Sequence, residues 1–397
     1  MELQGDKKWN MNHKGRVIFL HSNSDLYGSS KILIYVIEIF QKLGYSTLLV
    51  LPGEGPFRVE VEKRGIEVAI VNLGILRRKY FNPLGIVDRG RKFLKAYKFL
   101  HDLNKEEPIT LLYSNTLAVI VGAIFAKRNK ITHIWHIHEI IKSPKFLVRF
   151  LARQINGIER RPIVVSDSVA RHWENLLDIQ PEVIHNGIDY QPFLADIKDP
   201  FEKSGLPKGR KIVTMVGRIN PGKGQLSFLK MAREVIKEHP DALFLLVGDP
   251  FPGYENLLEE IGSFIQDHGL GKNVLDLGYR SDIPEILHCT QVFVLPSVMP
   301  DSFPTVVLEA MASALPVVAT RSGGAVEMVD DGNTGYLIDI DDVETGSKKI
   351  SLLLKQPELA REMGKKGRDR VLSSFSYGQF AQKMEDYICQ IFPETKN

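Results

Sequence analysis

Residues 212–238 read IVTMVGRINPGKGQLSFLKMAREVIKE, and this stretch decides the fold. Ile212–Val216 is a continuous apolar, β-branched run, the pattern of a strand covered on both faces. The turn that follows holds Gly217, Gly222 and Gly224 with two cations, Arg218 and Lys223. From Gln225 to Glu238 apolar residues recur at helical spacing. The same alternation runs outward in both directions. Strand-like runs precede it at Val17–Leu20, Thr47–Leu51, Val68–Val71, Thr110–Tyr113, Ile131–His136, Ile163–Val165 and Val183–Ile184. Others follow at Leu243–Val247, Val274–Leu277, Val292–Leu295, Val317–Ala319 and Tyr336–Ile338. Amphipathic segments such as Lys31–Lys42 and Val306–Ala314 lie between them. The pattern predicts an α/β protein with two Rossmann-like doubly wound domains.

The expected domains are 1–195 and 196–375, joined through the Pro- and Gly-rich segment Asp189–Arg210, with a helix over 376–397 packing back on the first. A chain of 397 residues accommodates two such cores. In open α/β sheets ligands bind at the carboxyl ends of the strands, so the expected site lies in a cleft between two such edges. Two cysteines, Cys289 and Cys389, exclude a disulfide framework and fit a reducing compartment. The run Val17–Leu20 stops at His21, so the opening residues do not read as a secretory signal, and residues 1–12 read as a disordered lead. No run approaches the roughly 18 apolar residues of a spanning helix. The expected location is cytoplasmic, peripheral on the inner face of the plasma membrane.

The net charge of +3 hides an asymmetry. Residues 1–200 carry 29 Lys and Arg against 21 Asp and Glu, a net of +8, which leaves −5 for the remainder. A basic half points to a polyanionic partner. No basic-aromatic platform or groove-reading motif is present, which argues against nucleic acid.

Two stretches carry chemistry. In Gly217–Gly224, glycines admit backbone N–H groups to an anion while Arg218 and Lys223 add fixed charge, so a diphosphate is the natural guest. The spacing is neither that of a Walker loop nor that of the dinucleotide fingerprint. The second stretch, Pro296 to Ala312, again joins a strand to a helix. Asp301 in its loop and Glu309 in its helix are acceptor groups able to grip vicinal hydroxyls; the plainer alternative makes Asp301 a helix cap and Glu309 a surface residue.

These motifs, with Val247-Gly248-Asp249, Leu277-Gly278-Tyr279, Ser322-Gly323-Gly324…Glu327, Trp135-His136-Ile137-His138-Glu139 and Ile184-His185-Asn186-Gly187-Ile188-Asp189, resemble the retaining glycosyltransferases of family four and their two-domain B-type fold. The resemblance spans nearly the whole chain. It implies that Gly217, Arg218 and Lys223 bind the diphosphate of a UDP- or GDP-sugar donor. Glu309 would hold the ribose, Gly278, Tyr279 and Arg280 would lie near the base, and Asp301, Phe303, Thr305 and Val306 would line the donor sugar and phosphate. Gly28, in the first βα loop, would approach the donor phosphate, and His138 would face the reacting sugar. The catalytic set so implied is His138, Arg218, Lys223 and Asp301. Three residues depart from the family pattern. Asp301 replaces a usual Glu, Pro304 replaces a common Gly, and the usual Gly-Gly of the first loop reads Tyr27-Gly28-Ser29-Ser30.

Two further groups invite a metal reading. His133, His136 and His138 with Glu139 lack a fourth ligand of suitable spacing, so one donor-site histidine is favoured over core histidines and over zinc. Asp339-Ile340-Asp341-Asp342 contains an Asp-x-Asp unit but follows a late strand, and reads as a solvated turn. No metal or other cofactor is expected. The segment 77–105 carries Arg77, Arg78, Lys79, Arg89, Arg91, Lys92, Lys95, Lys98 and Lys105, with an apolar stripe of Ile86, Phe93, Leu94, Tyr97 and Leu100. It reads either as an amphipathic helix on an anionic membrane or as an ordinary packed helix. The expected function is transfer of a sugar from a nucleotide-sugar to a glycan or polyprenyl-diphosphate-linked acceptor in cell-surface polysaccharide or lipopolysaccharide synthesis. The alternatives are a nucleotide-sugar epimerase and a non-catalytic sugar-nucleotide-binding protein.

Overall fold

The computed structural model describes residues 13–77, 80–158 and 160–392. Residues 1–12, Arg78 and Lys79, about which the sequence raised expectations, lie outside the described residues. The chain divides into two compact units. The first comprises residues up to 164 with 170–184 and the segment from 381; the second comprises 165–169 and 185–380.

The strands are β1 (Arg16–Leu20), β2 (Ser46–Leu51), β3 (Glu67–Ile70), β4 (Ile109–Ser114), β5 (Thr132–Ile137), β6 (Ile163–Val164) and β7 (Glu182–Val183), then β8 (Lys211–Val216), β9 (Ala242–Val247), β10 (Val274–Asp276), β11 (Val292–Leu295), β12 (Val317–Thr320) and β13 (Gly335–Ile338). Each expected run is a strand, shifted by a residue or so at its ends. The helices are α1 (Gly28–Lys42), α2 (Pro56–Lys63), α3 (Pro83–Glu106), α4 (Val121–Asn129), α5 (Lys145–Asn156), α6 (Asp167–Trp173), α7 (Gln191–Leu194) and α8 (Pro200–Ser204). They continue as α9 (Gln225–Val235), α10 (Asn256–Asp267), α11 (Ile283–His288), α12 (Thr305–Ala312), α13 (Ala325–Met328), α14 (Val343–Lys355), α15 (Pro357–Ser374) and α16 (Tyr377–Ile391).

All pairings in both sheets are parallel. The first sheet has the order β3-β2-β1-β4-β5-β6-β7 and the second β10-β9-β8-β11-β12-β13. Every residue of β1, β9, β11 and β12 is buried, which is why their sequences read as unbroken apolar runs. In each sheet the order reverses beside the first strand, between β1 and β4 and between β8 and β11. Loops leaving those strands diverge and open a crevice.

The division falls after Ile184, ahead of the expected boundary at 195, and the reason is a set of bonds within the second unit. Glu327 accepts from the backbone N–H groups of Asp167 and Ser168 at 2.9 and 2.8 Å and from His185 Nε2 at 2.9 Å. Ile188 bridges to Ser376, and the Tyr190 hydroxyl donates to the Phe375 carbonyl at 2.8 Å. In the first unit the end of α16 is tied by a Lys42–Glu385 ion pair at 2.7 Å and by Phe392 against Tyr45.

Burial opposes ionisation of Glu327, yet the bonds from His185, Asp167 and Ser168 outweigh it and hold the pKa below the usual glutamate value. A depressed carboxylate pKa contributes stability above the unfolded value of about 4.3, and the contribution is lost as pH falls through the folded value. Glu327→Ala is therefore expected to cost the second unit about 2 kcal/mol at pH 7 in a urea titration, with the gap to wild type narrowing below pH ~4. A constant gap from pH 7 to 3.5 would contradict the linkage.

Candidate functional site

The turn after β8 is fixed at both ends. Gly217 N–H donates to the Val247 carbonyl at 2.9 Å, and Ile219 N–H to that of Asp249 at 2.9 Å. The Asn220 side chain accepts from Gly222 N–H at 2.8 Å, closing an Asx turn. The Gly222 carbonyl in turn accepts from both Val298 and Met299 N–H, at 2.9 and 3.1 Å. Gly224 has φ +81°, and a Cβ there would lie 1.9 Å from the Pro296 carbonyl oxygen. Only glycine permits that approach. The loop after β8 is thus stapled to the loop after β11, across the switch point of the second sheet.

This stapling brings the candidate groups together. Lys223 Nζ forms a tight ion pair with Asp301, 78 residues away. Arg218 is buried with its guanidinium 5.1 Å from the centre of the Phe251 ring, and its carbonyl accepts from Gln225 Nε2 at 3.1 Å. Asp301 is not a helix cap: α12 starts at Thr305, with Pro304 as its N-cap residue and no side-chain cap. Glu309 is buried on α12, which excludes the surface alternative. Thr305 and Val306 open α12, where the first backbone N–H groups of a helix lie beyond the reach of its own carbonyls. Gly278, at φ +58°, passes its carbonyl to Gly248 N–H at 2.7 Å, and Tyr279 N–H donates to Asp249 at 3.0 Å, leaving the Tyr279 side chain half exposed. The Arg280 guanidinium is held by Asp282 and donates to the Ser204 carbonyl at 2.9 Å, so it braces α11 and α8.

The sequence reading missed what supports Phe303. Its ring stacks on His185 at 5.3 Å and meets Phe375 edge-on at 5.6 Å. His185 is oriented by Glu327, and Gly324 N–H donates to the Asp301 carbonyl at 2.8 Å. The Ser322-Gly323-Gly324…Glu327 motif therefore positions the 301–303 loop. Among the described residues, Asp167, His185 and Glu327 form the one trio close enough to share a metal ion, but the Glu327 oxygens already cap the start of α6.

In the first unit the switch point holds a polar chain. His138 Nε2 lies 3.1 Å from Asn115 Oδ1, while Asn115 Nδ2 reaches His21 Nδ1 at 3.2 Å and the Ser29 carbonyl at 3.3 Å. Neither His21 nor Asn115 was given a site role from the sequence; their one signal was a position just past a strand. Gly28 is not in the loop: it is the first residue of α1, so its N–H is one of that helix's orphan donors. The other histidines are core groups, His133 bonding Ser114 Oγ at 2.9 Å and His136 the Tyr113 hydroxyl at 2.8 Å. Glu139 accepts from His138 N–H at 3.0 Å and from Thr116. The 339–342 turn is exposed, with Asp342 capping α14 through Thr345 N–H at 2.9 Å and Asp341 accepting from Ser227 at 2.9 Å.

Burial lowers the pKa of His133 and His138 to about 3, and burial with the neighbouring His138 lowers that of His136 well below normal. All three are neutral at physiological pH. Unfolded histidines protonate near 6.5, so between there and about 3 the unfolded state binds more protons and stability falls with pH. Denaturant midpoints should drop steadily from pH 7 to 4.5, and His133→Leu should flatten that slope in the first unit's transition. An unchanged slope would show that His133 is charged in the folded state.

The model for glycosyl transferases group 1 matches residues 196–370, and that for glycosyltransferase family 4 matches residues 28–191. The chain is 28% identical over 312 residues to the UDP-Gal:alpha-D-GlcNAc-diphosphoundecaprenol alpha-1,3-galactosyltransferase of Escherichia coli, covering 74% of this chain and 79% of that one. It is 24% identical over 412 residues to the human alpha-1,3/1,6-mannosyltransferase ALG2, covering 95% and 96%. The crystal structure of HepE from Anabaena, in complex with UDP and glucose, superposes with a TM-score of 0.83 at 22% identity, covering 94% of this chain and 99% of that one. With one glycosyltransferase model matching 28–191 and another 196–370, the chain is a glycosyltransferase of the family 4 type.

Proposed function

We propose that this glycosyltransferase moves a sugar from a UDP- or GDP-sugar to a glycan or polyprenyl-diphosphate-linked acceptor, with retention of configuration and without a metal ion. The observation that carries the proposal is the stapled pair of loops holding Arg218, Lys223 and Asp301 at the switch point of the second sheet. The galactosyltransferase and mannosyltransferase relatives speak for transfer rather than epimerisation.

In this reading Arg218 and Lys223 neutralise the leaving diphosphate, the work a divalent ion does elsewhere. Lys223 exchanges Asp301 for phosphate oxygens, which frees the carboxylate for hydroxyls of the donor sugar. Glu309 takes the ribose hydroxyls, Tyr279 covers the base, and the first amides of α12 meet the phosphate. Gly217 keeps the loop backbone open to it. In the first unit His138 is the candidate; being neutral, it offers a sugar hydroxyl an uncharged N–H or lone pair. Both carboxylates are assigned to hydroxyls, so neither serves as a nucleophile. The bond from the anomeric carbon to the phosphate oxygen breaks as the bond to the acceptor oxygen forms on the same face. The acceptor proton passes to the departing phosphate.

The proposed setting is cell-surface polysaccharide or lipopolysaccharide synthesis at the cytoplasmic face of the plasma membrane. Among the described residues no helix is long and apolar enough to cross a membrane. The expected stripe on α3 is split: Leu100 is buried and Phe93 and Tyr97 pack on the core, while Leu84, Ile86, Val87 and Leu94 are exposed. Phe146 and Phe150 of α5 are exposed as well, and Phe146 meets Phe81 at 6.2 Å.

Arg218→Ala and Lys223→Ala should each cut turnover at least ~100-fold while leaving the melting temperature unchanged, and EDTA should not affect the rate. Near-normal activity in both variants would sink the assignment, and loss of activity in EDTA would sink metal independence. Separately, the protein should sediment with anionic vesicles at low salt and be released at high salt. Leu84→Asp with Leu94→Asp should lower the bound fraction severalfold, and no binding by the wild type would remove the membrane claim.

A further inference from the structure

The departure at Tyr27-Gly28-Ser29-Ser30 places two serines in the first turn of α1, and both take part in the polar chain at the switch point of the first sheet. His21, Asn115 and His138 follow β1, β4 and β5, so they meet at the carboxyl edge of that sheet. Glu139 holds the loops after β4 and β5 in register. It accepts from the Thr116 hydroxyl and from the N–H groups of His138 and Leu117, the latter at 3.4 Å. His21, Ser30 and Asn115 are buried, so solvent does not supply alternative partners.

The direction of each bond in the chain follows from its fixed ends. The Asp25 carbonyl can only accept, so the Ser30 hydroxyl, at 2.7 Å, gives its one proton there. Ser30 Oγ must then accept from His21 Nε2, 3.1 Å away, which makes that nitrogen the protonated one. His21 Nδ1 is left as a lone pair and accepts from Asn115 Nδ2 at 3.2 Å. An independent contact fixes the same amide, because the Ser29 carbonyl also accepts from Nδ2, at 3.3 Å. Asn115 Oδ1 therefore faces His138 Nε2 at 3.1 Å and needs a proton from it. A reversed amide would set its oxygen against the Ser29 carbonyl and the His21 lone pair at once. A reversed histidine would set two acceptors face to face. His138 is neutral at physiological pH, so its ring has one proton to place. With that proton on Nε2, Nδ1 carries a lone pair, and it makes no bond among the described residues in a ring that is half-buried.

We infer that Asn115, oriented by the Ser29 carbonyl and by His21 and Ser30, is a positioning residue that fixes His138 as the Nε2–H tautomer, so that Nδ1 meets the reacting sugar as the acceptor of a hydroxyl hydrogen and not as a donor. The inference rests on the reading of His138 as the sugar-facing group of the first unit, and it decides between the two bonds that a neutral imidazole can offer. A hydroxyl that donates to Nδ1 gains electron density at its oxygen, which suits a sugar that develops positive charge in the transition state. An N–H aimed at that oxygen would withdraw it. The serines of the first loop thereby acquire a role through Asn115.

Ring-nitrogen NMR of the full chain, labelled at its histidine nitrogens, tests this directly, with the His138 signals assigned by their loss in His138→Gln. At neutral pH and without ligand, wild type should show a protonated Nε2 and an unprotonated Nδ1 for His138. Asn115→Leu should lose that signature, the two shifts moving together as the tautomers exchange. Asn115→Asp keeps an acceptor towards Nε2 and should restore it, a rescue that packing alone does not predict. A protonated Nδ1 in wild type would overturn the inference. So would a wild-type signature that persists in Asn115→Leu, or the same mixture of tautomers in the Leu and Asp variants. The wild-type spectrum decides the tautomer even where a variant fails to fold. UDP-glucose, UDP-galactose and GDP-mannose are then titrated, with UDP and GDP as the sugar-free controls. A sugar nucleotide that binds should shift Nδ1 while leaving it unprotonated, and the bare nucleotide should leave it in place. Binding that does not move Nδ1 would remove its acceptor role. Failure of every probe to bind would count against the proposed donor chemistry, while the free protein's spectrum still decides the tautomer.

Discussion

The second unit depends on how closely two loops pass each other. Gly224 runs beneath the Pro296 carbonyl at a separation that excludes any side chain, and the Gly222 carbonyl takes two N–H bonds from Val298 and Met299. Those contacts make the loops after β8 and β11 one rigid body. Its consequence is chemical. Lys223 and Asp301, 78 residues apart, are held in contact before any ligand arrives. A partly buried ion pair of this kind contributes little net stability, because desolvation offsets the attraction. Under the proposed function its value lies in keeping a cation and an acceptor oriented, which is where preorganised electrostatics gain their effect on a transition state.

A second layer holds that body in place. Glu327 binds His185, His185 stacks on Phe303, and Gly323 and Gly324 let the chain pass against Asp301 and Phe303. A Cβ on Gly323, at φ +62°, would sit 1.9 Å from the Asp301 carbonyl oxygen. The departure at Asp301 fits this arrangement. Being a methylene shorter than glutamate, it still meets Lys223 directly. Pro304 costs the helix nothing, because the N–H at the residue before α12 has no bond to make within the helix.

How far the sequence was legible follows from which interactions are local. The thirteen strand runs could be read because a parallel strand covered on both faces must be apolar along its whole length. The two candidate-site loops could be read because glycines and fixed charges crowd into a strand-to-helix turn. Pairings across long separations could not. Nothing local to His185 or Glu327 announces a bond across 142 residues, and nothing local to Arg280 shows that Ser204 lies in its path. The stripe on α3 misled for a related reason: periodicity tells which residues share a helix face, not where along that face the core ends. Leu100 lies inside that limit and Leu94 outside it.

The charge asymmetry acquires a more specific meaning from these sites. Much of the cation excess on α3 is spent locally, since Asp88 is bonded to Arg89 and Lys92, and Asp102 to Lys98. A diffuse basic surface is therefore a weaker explanation of the first unit than cations set at defined points. Arg77 stands at a boundary between apolar and polar space, anchored on the Ser22 carbonyl, while the Arg89 guanidinium beside it is paired with Asp88. The second unit is acidic overall, yet places Arg218 and Lys223 in its glycine turn.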